Sequence, residues 1–211
     1  MKTTLFAVAL AVFGLVSAPV TAQEMNDYSE LPAGVYNVDK NHASLIWKVS
    51  HAGLSKYTAR FKSFDADVTL DPADITKSSV TATIDPTSLE TDFDVAANNG
   101  KDFNKNLSTG EQWLNAGQFP QITFKSTKIE KTGDNTGKIH GDLTFLGVTK
   151  PVVLDAVFNG AYLVQPFNQK PTFGISATTT IKRSEWGLST YVPAIGDDVE
   201  IVIEAEFNKN N

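Results

Sequence analysis

Between Val199 and Phe207 the chain alternates without a break. Val199, Ile201, Ile203, Ala205 and Phe207 fall on one side, and Glu200, Val202, Glu204, Glu206 and Asn208 on the other. Successive side chains of an extended strand point to opposite faces, so a period of two makes one apolar and one wet face. Leu45, Trp47, Val49 and His51 repeat the pattern against Ser44, Ile46, Lys48 and Ser50. Similar runs occupy 57–70, 79–85, 121–131, 138–145, 151–160 and 172–182, and Val35–Asp39 adds a short first strand. They are rich in the threonine, valine, isoleucine and phenylalanine that strands favour.

Turn residues separate the runs. Gly133-Asp134-Asn135-Thr136-Gly137 and Leu146-Gly147-Val148-Thr149 are tight connections, and Gly196-Asp197-Asp198 introduces the last strand. Only the stretch from Asp94 to Gly117 lacks alternation. It predicts a short helix within 95–107 and a second, capped by Ser108 or Thr109, over Glu111–Leu114. About eight or nine antiparallel strands with one helical excursion (about 95–116) predict an all-β fold, a closed barrel or a sandwich; strands this long fit an eight-stranded antiparallel barrel, whose closure leaves no exposed edge. Such a barrel has room for one small ligand.

The first 22 residues read as a signal peptide. Met1-Lys2 is followed by an apolar run from Leu5 to Val16, then Val20-Thr21-Ala22 at the cleavage position. That run is too short to span a bilayer, which needs about 20 apolar residues. The expected location is therefore the periplasm, with 23–33 as a polar leader and 34–209 as one domain. The chain has no cysteine, which excludes disulfides, thiolate metal sites and a cysteine nucleophile. Its formal charge of −6 argues against nucleic acid as a partner, since phosphate attraction needs a basic surface.

A search for catalytic groups returns little. There is no GxSxG elbow and no glycine-rich phosphate loop. The three histidines, His42, His51 and His140, show no helix-spaced pairing. His42 and His51 are an odd number of residues apart, so a straight strand sends them to opposite faces. No metal site, catalytic residue or required cofactor is expected, and the chain is read as a binding protein rather than an enzyme.

Ordered motifs carry a family resemblance. Asp39-x-x-His42-Ala43-Ser44-Leu45-x-Trp47-x-Val49-x-His51-x-Gly53 opens it, followed by Phe61-x-x-Phe64-x-Ala66 and Thr83-Ile84-x-x-x-Ser88-Leu89-x-Thr91. Then come Lys101-Asp102-x-x-x-Asn106-Leu107, Trp113-Leu114-Asn115-x-x-x-Phe119-Pro120-x-Ile122-x-Phe124 and Gly141-Asp142-Leu143-Thr144-Phe145-x-Gly147-Val148-Thr149-Lys150-Pro151-Val152. Arg183-Ser184-Glu185-Trp186-Gly187 and Gly196-Asp197-Asp198-Val199 complete the order. Together these resemble the YceI-like family of bacterial polyisoprenoid-binding proteins over about Val35 to Phe207.

The resemblance implies a lipocalin-like barrel that carries a long isoprenoid lipid, a polyprenyl quinone or a polyprenyl phosphate, or another amphiphilic lipid. It also implies a soluble carrier, a homodimer in some members, and ligand exchange with a membrane or a membrane cytochrome. The apolar strand faces then supply the tunnel lining: Leu45, Trp47, Val49, His51, Phe61 or Phe64, Ile84, Ile122, Phe124, Leu143, Phe145, Leu154, Phe158, Phe173, Ile175, Ile201 and Ile203, with Trp186 near a mouth. Lys101, Lys105 and Arg183 are the cations placed to meet an anionic head group. Lys101 stands where the family usually has arginine, which removes a bidentate phosphate grip. The residues alone leave two other readings open: a solidly packed barrel acting as a structural or stress-related interaction module, and an enzyme with converging histidines and carboxylates.

Overall fold

The structure, a computed structural model, describes residues 27–97 and 99–210. The expected signal peptide and residues 23–26 of the leader lie outside the described residues. Ten β-segments run in chain order: β1 (Gly34–His51), β2 (Ser55–Phe61), β3 (Phe64–Leu70), β4 (Ser79–Ile84), β5 (Leu89–Glu90), β6 (Ile122–Lys131), β7 (Thr136–Phe145), β8 (Val148–Tyr162), β9 (Thr172–Lys182) and β10 (Ile195–Lys209). They form one sheet in the order β10-β9-β8-β7-β6-β4-β3-β1-β2-β5, and β10 also pairs with β1. That last pairing closes the sheet. β2 and β3 lie end to end along β1, and β4 and β5 lie end to end beside them. Ten segments thus make eight staves, the closed antiparallel barrel that the alternation predicts.

The first strand is one element, not the two pieces the alternation suggests. Val38 stands opposite Phe207 and Ala43 opposite Ala205, so five steps along β1 match two along β10. The surplus forms a bulge over Asp39–His42. It changes the inward parity from Tyr36 and Val38 to Leu45, Trp47 and Val49, which is how both halves present apolar side chains to the same interior.

The excursion contains one helix, α1 (Phe103–Thr109), rather than two. Asp102 caps it, its carboxylate accepting from the Lys105 N–H at 2.8 Å. Residues 95–97 and 111–114 are turns. Asn104 moors this segment by accepting from the Thr91 N–H and hydroxyl, at 3.1 and 2.6 Å.

The two ends of the barrel differ. Where β1 begins and β10 finishes, the interior is solid. Leu31, Tyr36, Val38, Val68, Leu70, Phe173 and Phe207 pack there as a buried cluster. Phe173 stacks on Phe207, lies 5.1 Å from the Tyr36 ring and stacks on Phe158 at 6.3 Å. Tyr36 is fully buried, its hydroxyl donates to the Pro32 carbonyl at 2.8 Å, and burial pushes its pKa up to about 12. At the other end the helical excursion and the connection after β9 cross the opening.

Candidate functional site

Above the aromatic plug the barrel is hollow. The cavity measures about 470 Å³, inside the range of roughly 300–1,000 Å³ typical of small-molecule sites. Interior side chains at the plug, such as Tyr36, Val38 and Phe207, are buried, whereas Leu45, Trp47, Leu143, Leu154, Ile201 and Ile203 are only partly so. They point inward on the same faces but border open space.

Of the residues selected from the alternation, Leu45, Trp47, Val49, His51, Ile84, Ile122, Phe124, Leu143, Phe145, Leu154, Ile175, Ile201 and Ile203 line this cavity. So do both Phe61 and Phe64. The chain breaks between β2 and β3 at Lys62-Ser63, and this resets the face so that two phenylalanines three residues apart both point inward. Phe124 owes its position to Gly141 on β7. A Cβ there would collide with the phenyl ring, so only glycine lets the ring lie across that strand.

Three expected lining residues do not reach the cavity. Phe158 and Phe173 belong to the plug at the closed end. Trp186, expected near a mouth, is 3% exposed and packs against Phe145 and Val152. Its indole N–H donates to the Leu143 carbonyl at 3.2 Å, which anchors it in the wall.

The expected head-group cations also fall elsewhere. Lys101 and Lys105 are exposed and neither lines the cavity. Arg183 does line it but is already engaged. Its Nε donates to the Gly196 carbonyl at 2.8 Å, Nη1 to Leu188 at 3.0 Å, and Nη2 to Thr190 and Ile195 at 2.9 Å each. Burial pulls its pKa down, and nearby Asp197 opposes that shift. The guanidinium therefore clamps the loop after β9 rather than offering a free fork to a phosphate.

Strand periodicity had no means of reaching the residues that cap the cavity. Phe103, Leu107, Trp113 and Leu114 come from the helical excursion, Leu188 and Tyr191 from the loop after β9, and Ile195 from the first position of β10. Tyr57, Ala82, Ala177, Ala205 and Phe207 also line it, and these share the parity of residues already selected. At the rim, the rings of Trp47, His51 and Phe103 lie 6.3–6.4 Å from Tyr57, and Trp113 lies 5.9 Å from Tyr191. The lining is overwhelmingly apolar, with Thr179, Arg183, the His51 imidazole and the tyrosine hydroxyls among its few polar groups.

The histidines occupy separate places. His51 lines the cavity, His140 lies 3.6 Å from Glu130, and His42 sits in the β1 bulge. There, possible ligand atoms of Asp39, His42 and Glu206 come within 4.8 Å of one another, close enough for one cation to bridge. The Asp39-x-x-His42 spacing was the only sequence sign of it. Asp39 is already satisfied. Burial draws its carboxyl upward, but hydrogen bonds from His42 Nδ1 at 3.1 Å, the Asn41 N–H at 3.0 Å and Asn208 Nδ2 at 3.2 Å outweigh this and hold its pKa below the usual carboxylate range. The same bond to Asp39, with the charges of Asp39 and Glu206, raises the His42 pKa.

Comparison with known proteins agrees with this architecture. A UPF0312 protein of Vibrio parahaemolyticus is 34% identical over 209 residues, covering 97% of this chain and 98% of that protein. The crystal structure of a Campylobacter jejuni YCEI protein shares 30% identity and a TM-score of 0.64, covering 78% of this chain and 91% of that one. A polyisoprenoid binding domain from Saccharophagus degradans shares the fold at 13% identity, with a TM-score of 0.61 over 85% of this chain and all of that one. The sequence profile of the YceI-like domain matches residues 36–207, and the chain belongs to the YceI-like family.

Proposed function

We propose that this protein is a periplasmic carrier that buries the hydrocarbon tail of an isoprenoid lipid in its barrel and leaves an uncharged head group, such as a quinone, at the aromatic rim. The observation that carries this reading is a continuous apolar cavity whose single lining guanidinium is occupied by four backbone carbonyls. An anionic phosphate drawn into this lining would leave water without a free guanidinium to meet it, which is costly. A prenyl tail needs no such partner. Each buried CH₂ contributes about 0.8 kcal/mol, so a tail of about fifteen carbons offsets most of the ~4–15 kcal/mol cost of association. The Saccharophagus degradans domain of the same fold, described as polyisoprenoid binding, supports the ligand class. The apolar run from Leu5 to Val16, with Val20-Thr21-Ala22 after it, supports the location. No covalent chemistry is required, and the mechanism is burial alone.

The test is to isolate the protein from its own cells, extract it with organic solvent and identify the extract by mass spectrometry. A stoichiometric prenyl quinone is the expected result. A protein that is empty as isolated, and that takes up neither a short-chain ubiquinone nor a polyprenyl phosphate, would overturn the carrier reading.

A further inference from the structure

Two loops meet beside the mouth of the cavity, and both carry exposed apolar side chains. One is the turn between β1 and β2, where Leu54 is 88% exposed. The other joins β9 to β10, where Tyr191 is 64% exposed and Val192 is 38% exposed. The Ala52 N–H donates to the Ala194 carbonyl at 2.7 Å, which fastens the two loops side by side. Behind them stand His51 and Tyr191 itself, both lining the cavity. The exposed apolar side chains are thus continuous with the way in.

Ala52 and Tyr191 have φ of 52° and 59°, in the left-handed region that residues with a Cβ avoid. Charge is missing as well. Residues 49–55 and 188–196 contain no aspartate, glutamate, lysine or arginine, in a chain whose formal charge is −6. A leucine, a valine and an amphipathic tyrosine on an uncharged tip suit the boundary of a bilayer, where tyrosine concentrates. They do not suit a stable dimer, which needs about 800 Å² from each partner.

We propose that this tip is the face by which the protein touches a lipid bilayer while its ligand passes between membrane and barrel. The proposal rests on the carrier reading. A prenyl lipid has almost no free concentration in water, so exchange is fastest when the mouth opens directly onto the membrane. Contact is through shallow apolar insertion, so it depends little on salt. The molecule supplies its own control. Leu163, Val164 and Phe167, the last 92% exposed, form another apolar cluster between β8 and β9. That cluster is at the closed end, where the aromatic plug separates it from the cavity.

The experiment loads the full protein with a short-chain ubiquinone from detergent and follows its transfer to phosphatidylcholine vesicles. Leu54→Asp and Val192→Asp, neither of which lines the cavity, are each expected to slow transfer about tenfold. Quinone affinity in detergent is expected to stay unchanged, Phe167→Asp to behave as wild type, and 0.5 M NaCl to alter the rate less than twofold. Transfer at the wild-type rate in both tip variants would overturn the docking face. So would self-association of the wild type that Leu54→Asp abolishes, since a second copy would then be what covers the tip. Failure of the wild type to take quinone from detergent would overturn the carrier reading itself.

Discussion

The rings of Phe173 and Phe207 stack with centroids 5.2 Å apart and planes 17° from parallel, and Phe207 is the one that faces the cavity. Phe207 is the floor and Phe173 the layer beneath it. Phe207→Ala is expected to deepen the cavity and shift preference toward longer prenyl chains. The cost is about 3–5 kcal/mol of stability, as for other buried phenylalanines. Competition between quinones of different tail length, together with urea unfolding, reads both effects. An unchanged length preference in a folded variant would show that the floor does not set chain length.

Filling the hollow is the complementary change. Ala82 lines the cavity from β4 and is only partly buried. Ala82→Phe is expected to project a ring into open space, lower prenyl quinone affinity at least tenfold, and leave the melting temperature within a few degrees of wild type. Overpacking a closed core would instead cost about 1–3 kcal/mol. Calorimetric titration and thermal unfolding separate the two cases.

Arg183 gives a prediction of the opposite kind. Its four bonds, two to carbonyls of the loop after β9 and two to the start of β10, are structural, so Arg183→Lys is expected to destabilise the protein although it keeps the charge. Lysine has no planar fork, and each buried carbonyl left unpaired costs about 1–3 kcal/mol. Hydrogen exchange should rise first over residues 188–196. A variant that kept its stability and lost only ligand affinity would return Arg183 to head-group recognition.

The bulge pair provides a pH signature. His42 should titrate above its ordinary value of about 6.5. A raised pKa means that its contribution to stability is complete below the unfolded value and disappears as pH rises through the folded one. Asp39 is depressed, so its contribution is present above its ordinary value and is lost as pH falls through the folded one. NMR titration of the His42 ring in wild type and Asp39→Asn measures the link. The midpoint should fall toward 6.5 in the variant, and the shift should shrink in 1 M salt because His42 is exposed.

Alternation reveals which side of a strand a residue occupies, because that depends only on its neighbours in the chain. For this reason Ile201 and Ile203, or Leu143 and Phe145, were legible as inward-facing, and so was an all-β fold of eight or nine long strands, whereas closure into eight staves is a long-range outcome. Height along the barrel axis is another matter. Phe173 and Ile175 share one face of one strand, yet the first is plug and the second borders the cavity. What stands across the interior from each depends on stagger between strands far apart in sequence. The Asp39–His42 bulge, the aromatic cap from Phe103 to Tyr191, and the carbonyls that occupy Arg183 are likewise long-range outcomes. Local period reports the side of the sheet; only the closed packing of all eight staves decides where the space is left and which polar groups remain free to face it.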